Sequence, residues 1–154
     1  MCNNQMDADE KSIQIRHMMT IFDKAETVVA WIGESTPQNQ RAFSLMQTVA
    51  KGEESDARAL LSSEQSAQLL SIELRRLYSS VWLTRTWVRQ EIFAARKLLV
   101  VCGASIIDWD GFRTSAVGIK PFLPLLSTNS TTKLPVWHYA SQPKRPAPSE
   151  PSQS

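Results

Sequence analysis

Thr27-Val-Val-Ala-Trp-Ile32 and Leu98-Leu-Val-Val-Cys102 decide the fold. Both stretches are short and apolar at nearly every position, and each stops at a glycine, Gly33 and Gly103. A run that is apolar at consecutive rather than alternate positions suits a strand covered on both faces, as in a parallel sheet. The two are therefore expected side by side, deep in a layered sheet.

Helical patterns surround them. Ile15, Met18, Met19, Phe22 and Ala25 recur at helical spacing ahead of the first run, with Asp7 or Asp9 as cap. After it, Pro37 opens a helix carrying Phe43, Met46, Val49 and Ala50, and Lys51–Asp56 reads as a charged turn. Ser62 or Ser63 caps a longer helix through Tyr78, with Leu70, Leu74, Leu77 and Val81 on one stripe. Trp82–Arg85 reads as a tight connection, and Thr86 as the cap of a further helix over 87–95. Beyond the second run, Ser105–Ile107 reads as a short return strand, and Trp109–Arg113 starts another helical turn. The alternation argues for an α/β domain. Two buried strands are a thin sheet against the usual ~4–6. Further strands are expected from the N-terminal side or from another chain, since Cys2-Asn-Asn-Gln5 reads as a loop that follows something.

The 154 residues are 42% hydrophobic, enough for one modest core. Seventeen Lys and Arg balance fifteen Asp and Glu, a net +2 that argues for neither nucleic acid nor an anionic membrane. Two cysteines exclude a disulfide-rich scaffold. No apolar run approaches the ~18 residues of a membrane span, and no secretory start follows Met1, so a cytoplasmic protein is expected. Seven of the eight prolines lie at or after Pro121. The domain is accordingly expected over residues 1–126, with a linker and a Pro/Ser-rich disordered tail over 127–154. Within that tail, Leu134–Tyr139 (LPVWHY) either docks back onto the domain or stays loose.

Cys2, His17, Cys102 and His138 lack zinc-ligand spacing, so no metal is expected. Cys102 reads as a buried small hydrophobe, and nothing near Cys2 activates it. No GxGxxG, phosphate loop or GxSxG elbow occurs, so no cofactor is expected. The basic residues Arg75, Arg76, Arg85, Arg89, Arg96 and Lys97 read as solvated helix faces rather than a nucleic-acid surface. The densest chemistry is Trp82–Glu91 (WLTRTWVRQE). Two readings stand: a core corner whose arginine satisfies loop carbonyls, or a carboxylate, Glu91, tuned by an aromatic wall and Arg85.

Three ordered blocks resemble the fungal heterokaryon incompatibility (HET) domain. The first is Cys2-Asn-Asn-Gln5 followed by Asp7, Glu10, Lys11, Ser12, Gln14, Met18 and Phe22. The second is Ala25 with Val28, Val29, Trp31, Ile32 and Gly33; the third is Trp82, Arg85, Trp87, Val88, Gln90 and Glu91. Ala95, Cys102-Gly103, Asp108, Trp109 and Phe112 continue the pattern. Asn3 replaces an apolar residue of the family block, and the family's opening strands have no counterpart here, so the resemblance implies an N-terminally truncated domain.

What the resemblance implies is an α/β fold similar to the Toll/interleukin-1 receptor (TIR) domain, here as an incomplete parallel sheet flanked by helices. It implies non-self recognition and programmed cell death in filamentous fungi, acting through protein partners or self-association. Cys2, Asn4, Gln5, Trp31, Gly33, Trp82, Arg85, Trp87, Gln90 and Trp109 are then the motif residues. The alternative it implies is a TIR-like hydrolase cleaving NAD as substrate, with Glu91 as the catalytic carboxylate, or an inactive fragment of such a domain.

Overall fold

The computed structural model describes residues 8–85 and 87–122. The expected disordered tail, 127–154, lies outside the described residues, as do Cys2, Asn4, Gln5, Asp7 and Thr86. Along the chain run α1 (Ala8–Lys24), β1 (Val28–Gly33), α2 (Pro37–Lys51), α3 (Glu54–Leu60), α4 (Glu64–Tyr78) and the single turn α5 (Val81–Thr84). Then come α6 (Val88–Ala94), β2 (Leu98–Cys102), β3 (Ser105–Asp108), α7 (Trp109–Gly118) and a 3₁₀ turn (Lys120–Phe122).

The helices start where local chemistry satisfies their first amides. Thr36 Oγ1 accepts from the Asn39 amide and Asn39 Oδ1 accepts from the Thr36 amide, a reciprocal cap with Pro37 as first helical residue. Ser63 caps α4, accepting from the Ser66 amide, and Asp108 caps α7, accepting from the Gly111 amide. α1 already contains Asp9, which is therefore no cap. The expected charged turn ends sooner than its composition suggests: Glu54 begins α3, whose Ala57 is buried. Acidic residues in the first turn and the Arg58–Glu54 pair one turn apart favour that helix.

β1 and β2 are neighbours and parallel, with Val28 opposite Leu98 and Trp31 opposite Val101. β3 returns antiparallel to β2, so the sheet is mixed, in the order β1-β2-β3, rather than purely parallel. The reversal takes two residues, Gly103-Ala104, which leaves no room for a crossover. Gly103 has φ +56, and a Cβ there would lie 2.2 Å from Ser35 Cβ. Only glycine fits that turn.

One face of the sheet carries Val28, Ala30, Leu98, Val100 and Ile107, all buried. α2, α4 and α7 supply the opposing layer with Phe43, Leu45, Met46, Leu74, Leu77, Tyr78, Trp109 and Phe112. Tyr78 meets Phe112 edge-on, and its hydroxyl is 2.8 Å from Ser115 Oγ. The expectation that both runs are covered on both faces fails: Val29 is 58% and Trp31 60% exposed. On that side Leu99 and Val101 are half-buried and Ile106 is exposed.

Candidate functional site

Three places on this framework bring chemistry together: the tryptophan–arginine corner, a cavity at the strand ends, and the bare sheet face.

At the corner, α5 and α6 meet. The Trp82 indole N–H donates to Glu91 Oε2 at 2.7 Å, and both residues are buried. Trp82 stands edge-on to Trp109, 5.8 Å between centroids, so the pair is anchored into the core. Arg85 Nη2 lies 3.9 Å from Glu91 Oε1 but is more than half exposed, so solvent screens that attraction. Gln90 Oε1 is buried with no hydrogen-bond partner among the described residues. Trp87 turns the other way and lines a shallow hollow with Gln14, His17 and Met18 of α1. The motif therefore divides: Trp82, Glu91 and Trp109 form one buried cluster with Arg85 at its exposed rim, while Trp87 lines the hollow against α1. A carboxylate only 6% exposed and already bonded to an indole ties two short helices together.

The cavity, about 260 Å³, opens at the carboxyl ends of β1 and β2, where open α/β sheets place ligands. Its lining includes Gly33, Asn39, Glu73, Arg76, Ser80 and Cys102. Glu73 Oε2 and Ser80 Oγ are buried without hydrogen-bond partners among the described residues, with Arg76 Nη1 3.9 Å from the Glu73 oxygen. Burial pushes the Cys102 thiol up; nearby Arg76 lowers it and Glu73 raises it. The thiol donates to the Glu34 carbonyl at 3.3 Å. The upward shift makes this thiol less ready to ionise than an ordinary cysteine. Gly33 is the motif residue that the structure brings to this cavity; Glu91 is not among its lining residues. Sequence reasoning missed Asn39, Glu73 and Ser80 as a group. They come from the start of α2, the middle of α4 and the turn before α5, and no local spacing links them.

The bare face follows from the strand register. Val29 aligns with Leu99 and Asp108, and Trp31 with Val101 and Ile106, making two rungs across three strands. Five of these six side chains are apolar, and Val29, Trp31 and Ile106 (51%) are more than half exposed. Trp31 is thus the motif residue that reaches solvent with a large apolar surface. A contiguous apolar patch of this kind marks a contact surface more often than a scattered exposed leucine does.

Among the described residues no helix is long and apolar enough to cross a membrane. The model of the family described as heterokaryon incompatibility protein (HET) matches residues 1–91. No curated protein and no solved structure matches the chain.

Proposed function

The chain belongs to the heterokaryon incompatibility (HET) family, and we propose that it is a cytoplasmic cell-death signalling module of filamentous fungi that acts by protein contact through the bare face of its sheet. The observation that carries this reading is the double rung of Val29, Leu99, Trp31, Val101 and Ile106. β1 and β2 have the sequence of strands meant to be covered twice, and they are covered once. A surface of that composition is stabilised when a partner buries it, at about 25 cal/mol per Å² of apolar area before the costs of association. The buried corner supports the same reading from the other side, because Trp82 and Glu91 hold α5 and α6 in place without reaching solvent. The likeness to TIR domains, in which assembly is the signalling event, enters here as family analogy.

The test is expression of the full chain in a fungal host. Trp31→Glu combined with Ile106→Glu places two charges on the bare face and leaves the buried layer alone. Loss of killing, with an unchanged melt of the purified variant, is the expected result. Killing at the unmodified level would remove the bare face from the reading.

The NAD-cleaving alternative draws on the cavity at the strand ends. It needs Glu91 to reach substrate, past the indole that now holds its carboxylate. NAD consumption by the purified chain, abolished in Glu91→Gln with the fold retained, would put this reading first.

A further inference from the structure

We propose that the cavity at the carboxyl ends of β1 and β2 binds a small organic ammonium, a primary amine in its charged form on a compact apolar body. The inference does not rest on the bare face; it adds a ligand site to the contact module.

Two oxygens carry it. Glu73 and Ser80 both line this cavity, and Glu73 Oε2 and Ser80 Oγ are buried with no hydrogen-bond partner among the described residues. Ser80 as a whole is only 8% exposed. Buried polar atoms in folded proteins are paired with protein, water or ligand, because an unpaired one costs free energy. The neighbouring polar groups are already committed. Asn39 Nδ2 donates to the Glu34 carbonyl at 2.6 Å, Asn39 Oδ1 accepts from the Thr36 amide, and the Cys102 thiol donates to the same Glu34 carbonyl. Arg76 Nη1 stands 3.9 Å from Glu73 Oε2, beyond hydrogen-bond length.

The placement follows from α4. Glu73, Arg76 and Leu77 share one face of that helix, and Ser80 lies just past its end at Tyr78. The facing wall is the end of the sheet, with Gly33 of β1 and Cys102 of β2.

The sign of the ligand follows from the surroundings. Glu73 brings a carboxylate on a side chain only 15% exposed. α4 also ends here, with its cap residue Ser79 in the cavity wall, and the carbonyl end of a helix carries partial negative charge. Arg76 opposes both, but its side chain is 69% exposed, so solvent screens it. An ammonium has three donors and needs no acceptor, which suits two open oxygens. An anion would meet Glu73 as a like charge.

The size of the ligand follows from the volume. A dry cavity of about 150 Å³ takes a benzene ring, so the 260 Å³ here takes roughly ten non-hydrogen atoms. Ile32, Leu77 and Val81 supply apolar wall for the body that carries the amine.

The test titrates the isotope-labelled full chain with phenethylammonium chloride, followed by two-dimensional amide NMR. The expected result is saturable shifts at Gly33, Ser80 and Cys102, and none at Val28 and Leu98 at the other end of the strands. Phenethyl alcohol, the same body with a neutral head, should bind about tenfold more weakly, because charged donors make the stronger hydrogen bonds. Glu73→Gln should weaken the ammonium by about the same factor. Ser80 Oγ has no bond to lose, so Ser80→Ala should leave the melt of the protein unlowered while weakening the ammonium about threefold or more. That variant carries the test if Glu73→Gln does not fold. Absence of shifts at the strand ends, equal affinity for the amine and the alcohol, tighter binding of phenylacetate than of the amine, or undiminished binding in Ser80→Ala would each overturn the proposal.

Discussion

Glu91 and Tyr78 each hold a buried polar contact, with the Trp82 indole and the Ser115 hydroxyl. Removing the indole donor with Trp82→Phe leaves the Glu91 carboxylate buried and without its 2.7 Å bond. Hydrogen bonds to charged groups contribute about 1.5–3 kcal/mol, so a urea melt of that variant should show a loss of about that size. Glu91→Gln keeps an oxygen that accepts from the indole and should cost less; a larger loss in Glu91→Gln than in Trp82→Phe would contradict this account. Tyr78 is fully buried, and burial raises its pKa well above the ordinary tyrosine value, partly offset by the Ser115 bond. An unfolded tyrosine titrates near ~10, so above that pH the unfolded chain loses its proton first. The stability present below pH ~10 is then lost as pH rises, by up to about 1.4 kcal/mol per pH unit. Stability measured by melts between about pH 8 and about pH 11 should fall more steeply in the native chain than in Tyr78→Phe. The buried Cys102 thiol acts in the same direction from its own ordinary range upward.

At the scale of elements, the ends and turns carry the information. Pro37 and Ser63 were legible as helix starts because a proline ring and a serine hydroxyl satisfy a helix terminus locally. Thr36→Ala should cost about 1 kcal/mol in a thermal or urea melt, since it removes one half of the reciprocal cap. Gly103→Ala should cost more. The positive φ alone accounts for about 1–3 kcal/mol, and the added Cβ would also run into the Ser35 backbone. An unchanged melt for Gly103→Ala would mean that the β2–β3 turn has another geometry. The helix over Glu54–Leu60 was not legible in the same way. Its charges read as a turn, and only the burial of Ala57 against the core shows why the chain coils there.

Across the whole molecule, chemically identical residues have opposite roles. Trp109 is buried between Trp82 and Phe112, whereas Trp31 lies open on the bare face. Trp109→Ala should cost about 3–5 kcal/mol, as large core truncations do. Trp31→Ala should cost no more than about 1 kcal/mol while impairing killing. Equal losses of stability in the two variants would show that the face is part of the core.

The sequence by itself determined that two apolar runs become adjacent strands, that helices alternate with them, and where several of those helices begin. These follow from period, capping and turn chemistry, which act over a few residues. Only the tertiary structure decided which side of the sheet is covered, that Glu91 is spent on an indole bond, and that Glu73, Ser80 and Asn39 share one cavity. Those outcomes depend on which distant elements pack where, and an apolar strand has the same composition whether its second face meets a helix layer or lies bare.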